Sequence, residues 1–145
     1  MTAYLLTLTV LAVYVAGVSL MTSQVTYPLY AAVPAGSFVE YHRRYNRRIP
    51  LVIIAPGFAY FLACATLPLV GADHLPRWAA GLVALGGLTA LIATVTAAIP
   101  SHVRLQRDGF QPGTYRTLRR ADLIRTAACL LSAAVLVAYL PEIAG

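Results

Sequence analysis

Charged residues are missing from four long stretches of the chain and are crowded into the segments between them. The uncharged stretches are residues 1–39, 49–72, 78–103 and 126–141. A helix needs roughly 20 apolar residues to cross a bilayer, and each crossing must be helical because lipid offers the backbone no hydrogen bonds. The pattern predicts an all-α, single-domain bundle over residues 1–145, with transmembrane spans at 4–23, 50–70, 78–98 and 123–140.

The polar segment between the first two spans has the periodicity of a short helix. Four aromatic or apolar residues recur at spacings of three and four, namely Phe38, Tyr41, Tyr45 and Ile49. Such spacing places them on one helix face, and the neighbouring arginines fall mostly on the other. His42 lies at the border between the two faces. This is the pattern of an amphipathic helix at a membrane surface.

Both arginine-rich connections also carry signals for helix ends. In the first connection, Ser37 and Glu40 form the S-x-x-E pattern of a capping box. In the third connection, Ser101 is placed to cap a helix that ends at the Asp108–Gly109 turn signal. We therefore expect short interfacial helices in the first and third connections.

Prolines and small residues predict where the spans bend and where they pack. Pro28 should end or kink the extension of the first span, and Pro56 should kink the second. Small residues recur at every fourth position in the third span, at Gly86, Ala90, Thr94 and Ala98. Faces of this kind let helices approach closely in lipid.

Composition supports a membrane protein and gives it an orientation. Only 11% of the residues are charged and 59% are hydrophobic, whereas a soluble domain carries about 25% charged residues. All eleven basic residues are arginines, and ten lie in the first and third connections or at the start of the fourth span. The positive-inside rule makes that side cytoplasmic, so both termini and the outer turn with Asp73 and His74 face outward. Because topology accounts for the arginines, we expect contact with membrane lipids and no nucleic-acid partner.

Polar side chains gather at the predicted cytoplasmic mouth of the bundle, where they form a candidate site. We assign catalytic roles to His42, His102 and Arg125. The residues expected to bind substrate are Gln24, Tyr27, Tyr41 and Tyr60. Polar groups near a bundle interior are costly and often functional. His42 and His102 would be the ligands of any metal ion, but two histidines without a carboxylate make a weak metal signature, so the cofactor is either absent or a single metal.

Several motifs resemble a family of small four-helix bacterial membrane proteins. The first helix ends in Gln24, Val25, Tyr27, Pro28 and Leu29; a Tyr41–His42 pair follows; then come Pro100 with His102, and Ile124, Arg125 and Thr126. These segments are similar to the domain-of-unknown-function family that includes anthrone oxygenases. The resemblance implies a multi-pass protein of the bacterial inner membrane and oxygenase-type chemistry.

The chain departs from that pattern at positions that bear on a cofactor. Tyr45 stands where many relatives have a second histidine, and Tyr60 stands near the place of a glutamate. Asp122 and Leu123 replace an Asn-Trp pair. If the family site is a metal centre, this chain has lost ligands, which favours a site without a cofactor.

Three classes of function remain open from the sequence. The first is a membrane enzyme that acts on a lipophilic aromatic or quinone-like substrate, by oxygenase-type or proton-transfer chemistry. The second is a non-catalytic membrane subunit or small-molecule-binding module, in which the close-packing faces serve a partner or a homo-oligomer. The third is a transporter, which is disfavoured because no acidic residue is available in the middle of the membrane for ion coupling.

Overall fold

The computed structural model describes residues 1–70 and 75–144, and the elements in this part of the chain are all helical. Four continuous helices are long and apolar enough to cross a membrane: Thr2–Tyr30, Ala35–Val70, Arg77–Asp108 and Pro112–Ala138. The all-α fold and the four membrane-compatible helices are thus confirmed. The fourth helix ends at Ala138, two residues before the predicted limit. The predicted outer turn with Asp73 and His74 lies outside the described residues.

The first three long helices are each built from two α-helices joined by a wider π-turn. The first long helix contains α1 (Thr2–Met21), a π-turn (Thr22–Thr26) and α2 (Tyr27–Tyr30). The second contains α3 (Ala35–Ile49), a π-turn (Pro50–Ile54) and α4 (Ala55–Val70). The third contains α5 (Arg77–Ala93), a π-turn (Thr94–Ala98) and α6 (Ile99–Asp108). The fourth long helix is α7 (Pro112–Ala138), and a short α8 (Leu140–Ala144) follows.

Each π-turn ends two residues before a proline, at Pro28, Pro56 and Pro100. The residue just before each proline donates its backbone N–H to the carbonyl five residues earlier; these pairs are Tyr27 to Thr22, Ala55 to Pro50, and Ile99 to Thr94. A proline ring clashes with the carbonyl four residues before it. We infer that the wider turn relieves this clash, so the helix continues through the proline. Pro28 was predicted to end or kink its helix and Pro56 to kink its helix; at both positions the structure has a π-turn instead.

The wide turns leave backbone carbonyls without helical partners, and side chains from other helices bind two of them. Pro56 has no N–H for the carbonyl of Val52, and the Tyr14 hydroxyl donates to that carbonyl at 3.0 Å. The Ser23 carbonyl, inside the first π-turn, accepts from the Arg119 guanidinium. Because free carbonyls are expensive in an apolar environment, these contacts hold neighbouring helices together at the level of the π-turns.

α3 and α6 are the two amphipathic helices predicted in the connections, and each is continuous with a span. On α3, Glu40 forms ion pairs with Arg43 and Arg44, three and four residues further along the helix. The predicted capping box is wrong, because the helix already begins at Ala35, after Pro34, and Pro34 makes no side-chain cap. Ser101 likewise lies inside a continuous helix and caps nothing.

The end of α6 agrees with the predicted turn signal. α6 ends at Asp108, and Gly109 follows it with a φ of 77°. This left-handed backbone conformation is open to glycine at little cost and is strained for most other residues. The turn brings the chain back to α7, which begins at Pro112.

The side of α5 that faces the core relies on two adjacent glycines. A Cβ on Gly86 would overlap the Ser132 hydroxyl, and a Cβ on Gly87 would overlap the Cys64 Cβ and lie 2.9 Å from its Sγ. Gly86 therefore lets α5 approach α7, as the small-residue stripe predicted. Gly87 provides the same close approach to α4, on a face that the stripe did not include.

We expect Gly87→Ala to destabilise the bundle by about 1–3 kcal/mol, since the new methyl group must force α4 and α5 apart. Gly81→Ala on the same helix is the matched control, because a Cβ there meets nothing within 4 Å. The free energy of unfolding in mixed detergent micelles measures the difference. Equal stability of the two variants would contradict the close approach at Gly87.

Candidate functional site

Three side chains from three helices form a continuous hydrogen-bonded chain at the arginine-rich end of the bundle. The Tyr27 hydroxyl lies 2.9 Å from His102 Nε2. His102 Nδ1 lies 3.1 Å from His42 Nε2. α2 supplies the tyrosine, α6 the first histidine and α3 the second. We refer to Tyr27, His102 and His42 as the histidine chain.

The helical periodicity of α3 turns His42 inward. Phe38, His42 and Tyr45 recur at spacings of four and three, and both Phe38 and His42 are fully buried. Tyr41, which the sequence placed on the same face as Phe38 and Tyr45, is exposed instead. The His42 ring stacks on Phe38 and His102 and meets the edge of Tyr30. His42 thus lies inside the bundle and not at the border that the sequence suggested.

A second polar contact joins α3 and α6 one turn beyond the histidines. Asn46 Nδ2 donates to Gln106 Oε1 at 2.7 Å. Asn46 follows His42 by four residues, and Gln106 follows His102 by four. Residues at this spacing share a helix face, so each helix presents two polar side chains to the other. The equal spacing of four residues in the two pairs is visible in the sequence, and it could have identified Gln106 as a partner of Asn46.

The histidine chain permits two arrangements of its protons. In one, Tyr27 donates to His102, His102 donates to His42, and the outer nitrogen of His42 carries a proton. In the other, His42 donates to His102, His102 donates to Tyr27, and the Tyr27 hydroxyl proton is free for another acceptor. His42 Nδ1 is buried and has no hydrogen-bond partner among the described residues. His102 can therefore take a proton from the Tyr27 hydroxyl or return one to it, with His42 as its hydrogen-bond partner on the other side.

Arg125 is positioned by a buried carboxylate. Its Nη2 donates to Asp122 Oδ1 at 2.8 Å, and the Asp122 side chain is fully buried. The other carboxylate oxygen lies 3.5 Å from Arg119, which also binds the Ser23 carbonyl. Asp122 and Arg125 are three residues apart on α7, a spacing that places both on one helix face. A guanidinium held in this way has a fixed orientation and a low-dielectric surrounding, so its charge acts strongly on a nearby anion.

Tyr27, His102 and Arg125 line one end of a cavity of about 70 Å³, to which all four long helices contribute. Most of its remaining walls are apolar side chains, among them Val18, Ile53 and Phe61. We call this space the inner cavity. This volume has room for about five water molecules, because each needs roughly 10–15 Å³.

The inner cavity opens between the first and second long helices. Its lining includes Tyr14, Val52 and Ile54, all of which have exposed side chains. The hydrogen bond from Tyr14 to the Val52 carbonyl crosses this opening. Val52 and Ile54 belong to the second membrane-compatible helix, so the opening lies on the surface of that helix.

The structure brings together four of the seven predicted site residues and leaves three apart. Tyr27, His42, His102 and Arg125 lie in or beside the inner cavity. Gln24, Tyr41 and Tyr60 are placed elsewhere. Gln24 and Tyr41 are exposed, whereas Tyr60 is fully buried in the apolar core and does not line the cavity.

Tyr45 and Asp122 belong to the site although they were not assigned to it from the sequence. Tyr45 lines the inner cavity, and its ring stacks on His102 with the centroids 6.1 Å apart. In the sequence, Tyr45 could have been assigned to the site because it shares the face of α3 that carries Phe38 and His42. Asp122 accepts a hydrogen bond from Arg125. Its spacing of three residues from Arg125 is the feature of the sequence that could have assigned it to the site.

The donor set does not suit a metal ion. No group of three histidine, cysteine, aspartate or glutamate side chains lies together in the part of the chain that the structure describes. The two histidine nitrogens that face each other are already hydrogen-bonded, and the positive charge of Arg125 lies in the same cavity. Protein sites for divalent metals ordinarily supply three or more ligands of these types. We therefore derive no step through a metal.

No protein-family model, curated protein or solved structure matches the chain. The resemblance to the anthrone oxygenase family accordingly stays a prediction.

We expect Asp122→Ala to destabilise the protein by about 3–5 kcal/mol, because it leaves the buried Arg125 without a counter-charge. Asp108→Ala is the matched control, since Asp108 is exposed and pairs only with the adjacent, exposed Arg107. It should cause a far smaller loss. Unfolding of both variants in mixed micelles measures the effect, and similar losses would show that the Asp122 pair is no more important than a surface pair.

Proposed function

We propose that this protein is a small membrane enzyme that removes a proton from a lipophilic aromatic or quinone-like substrate. The observation that carries the proposal is the histidine chain, which ends beside Arg125 in a cavity that opens on the surface of the second membrane-compatible helix. A base, a hydrogen-bond donor and a fixed positive charge are the groups that enolate or phenolate formation requires. The apolar opening suits a flat, hydrophobic substrate whose reacting edge lies in the inner cavity while the rest extends between Tyr14 and Val52.

Each residue has a definite task in this proposal. The substrate C–H or O–H bond breaks, and its proton passes to the Tyr27 oxygen as the Tyr27 proton moves to His102 Nε2. His102 then carries a positive charge and keeps its other N–H directed at His42. The electron pair of the broken bond stays on the substrate as an enolate or phenolate, whose oxygen lies against Arg125. Asp122 orients Arg125 and does not contact the substrate.

The family resemblance favours an oxygenase reaction after this proton transfer. The carbanion of an activated methylene group can react with dioxygen, which is the co-reactant, to give a hydroperoxide that loses water. The overall change converts one CH₂ group and one O₂ molecule into one C=O group and one water molecule. The chain's own residues then act only on protons and on the developing negative charge.

A non-catalytic binding module is the second candidate. The observation that favours it is the complete burial of His42 among Tyr30, Phe38 and Tyr45, which is also what an ordinary aromatic core looks like. In that case the same cavity would bind a lipophilic molecule without turnover, alone or within a homo-oligomer. For either candidate we propose the bacterial inner membrane, with the arginine-rich end in the cytoplasm and both termini outside.

Anthrone is the probe that tests the enzyme, because its methylene group is acidic and its oxidation product absorbs differently. We expect the purified, detergent-solubilised protein to speed deuterium exchange at this methylene group and to form anthraquinone with uptake of dioxygen. Tyr27→Phe and His102→Gln should each lower both rates by about 10²-fold or more, the range of general acid–base effects. Tyr41→Phe is the matched control, since it removes an exposed hydroxyl outside the cavity, and it should keep full activity.

The outcomes separate the two candidates. Binding of anthrone without any faster exchange would support the binding module and reject the enzyme. Equal loss in Tyr27→Phe and Tyr41→Phe would contradict the assigned role of the histidine chain. Unfolding curves for each variant show whether a loss of activity has only followed a loss of fold.

A further inference from the structure

A second cavity, a groove of about 480 Å³, lies between α3 and α6 on the arginine-rich side. Arg43 and Asn46 line it from α3, and Gln106 and Arg107 line it from α6. Its other walls are apolar and include Ile54 and Val103, while His102 also lines it. We call this cavity the arginine groove. Its volume is in the range of small-molecule sites, about 300–1,000 Å³.

The arginine groove and the inner cavity share walls. Ile49, Ile54, Ile99 and His102 line both of them. His102 therefore presents one part of its ring to the cavity that holds Arg125 and another to the groove that holds Arg43 and Arg107. A ligand whose reacting edge meets the histidine chain is thus next to the groove, separated from it only by shared side chains.

The charge of the groove has one sign. Its charged lining residues are the arginines Arg43 and Arg107, and no carboxylate is among the lining residues that the structure describes. Each arginine pairs with a carboxylate of its own helix, Arg43 with Glu40 and Arg107 with Asp108. Both pairs are exposed to solvent, where such pairs are screened, so an anion between the helices can compete with Glu40 and Asp108 for the two guanidinium groups.

We propose that the arginine groove binds a small aromatic carboxylic acid. The carboxylate lies between Arg43 and Arg107, and the aromatic ring packs on the apolar walls of the groove, with His102 at its edge. This inference goes beyond the proposed function, because the groove is a separate space from the inner cavity. A small aromatic acid suits the observations because the groove has the volume of a small-molecule site, a positive mouth and apolar walls that continue to the inner cavity.

The test compares two probes that differ only in a carboxylate, 1-hydroxy-2-naphthoate and 1-naphthol. Binding is measured by fluorescence in neutral detergent at low ionic strength. The unchanged protein should bind the acid about tenfold more tightly than the neutral naphthol, as expected for charge-assisted hydrogen bonds. Arg43→Gln/Arg107→Gln should bind both probes equally and should keep its affinity for 1-naphthol. Arg116→Gln/Arg120→Gln, which removes two exposed arginines of α7, is the matched control and should keep the preference.

Three results would overturn the proposal. The first is equal binding of the two probes by the unchanged protein. The second is the same loss of preference in both double variants, which would show a general effect of positive charge. The third is displacement of the acid by micromolar phosphatidylglycerol in the micelles but not by neutral phosphatidylcholine, which would assign the groove to a phospholipid headgroup.

Failure of the proposed function gives a different result. If anthrone is not turned over but the acid preference depends on Arg43 and Arg107, the groove is a binding site and the enzyme is rejected. If neither naphthalene probe binds, the ligand class proposed for the groove is rejected, whatever the outcome with anthrone.

Discussion

The arginine-rich end of the bundle depends on the way three helices accommodate a proline. Pro28, Pro56 and Pro100 each remove a backbone donor, and in each case the preceding turn widens so that the helix continues. In lipid the carbonyls released by such a turn must find partners. Tyr14 and Arg119 supply two of those partners from other helices. The same backbone constraint therefore widens three helices and frees carbonyls, two of which accept hydrogen bonds from side chains of other helices.

The polar groups of the candidate site come from segments next to two of these turns and are linked to one another by hydrogen bonds. Tyr27 follows the first π-turn, and His102 lies within the first turn after the third. The carbonyl of Tyr27 also accepts a hydrogen bond from the Tyr115 hydroxyl, which fixes α2 against α7 at 3.0 Å. Because a buried polar group that loses its partner is costly, the network is rigid as a unit. Such rigidity is what a proton-transferring site needs, although a purely structural network would have it as well.

Two neighbouring cavities with different chemistry meet at His102. The inner cavity combines apolar walls with the charge of Arg125, whereas the arginine groove is open and positively charged. The two cavities therefore offer separate places for an apolar group and for a charged one.

The sequence by itself determined the four membrane-compatible helices, the amphipathic character of α3 and α6, and the local pairs of Glu40 with its arginines and Asp122 with Arg125. All of these depend on hydropathy or on spacings of three and four residues within one helix. Only the tertiary structure decided that His42 is buried beside His102, that Gln24 and Tyr60 lie apart from them, and that the helix starts inferred at Ser37 and Ser101 are not used. Contacts between helices depend on the rotation and bending of each helix, and the π-turns before the prolines change both in a way that regular helical spacing does not reveal.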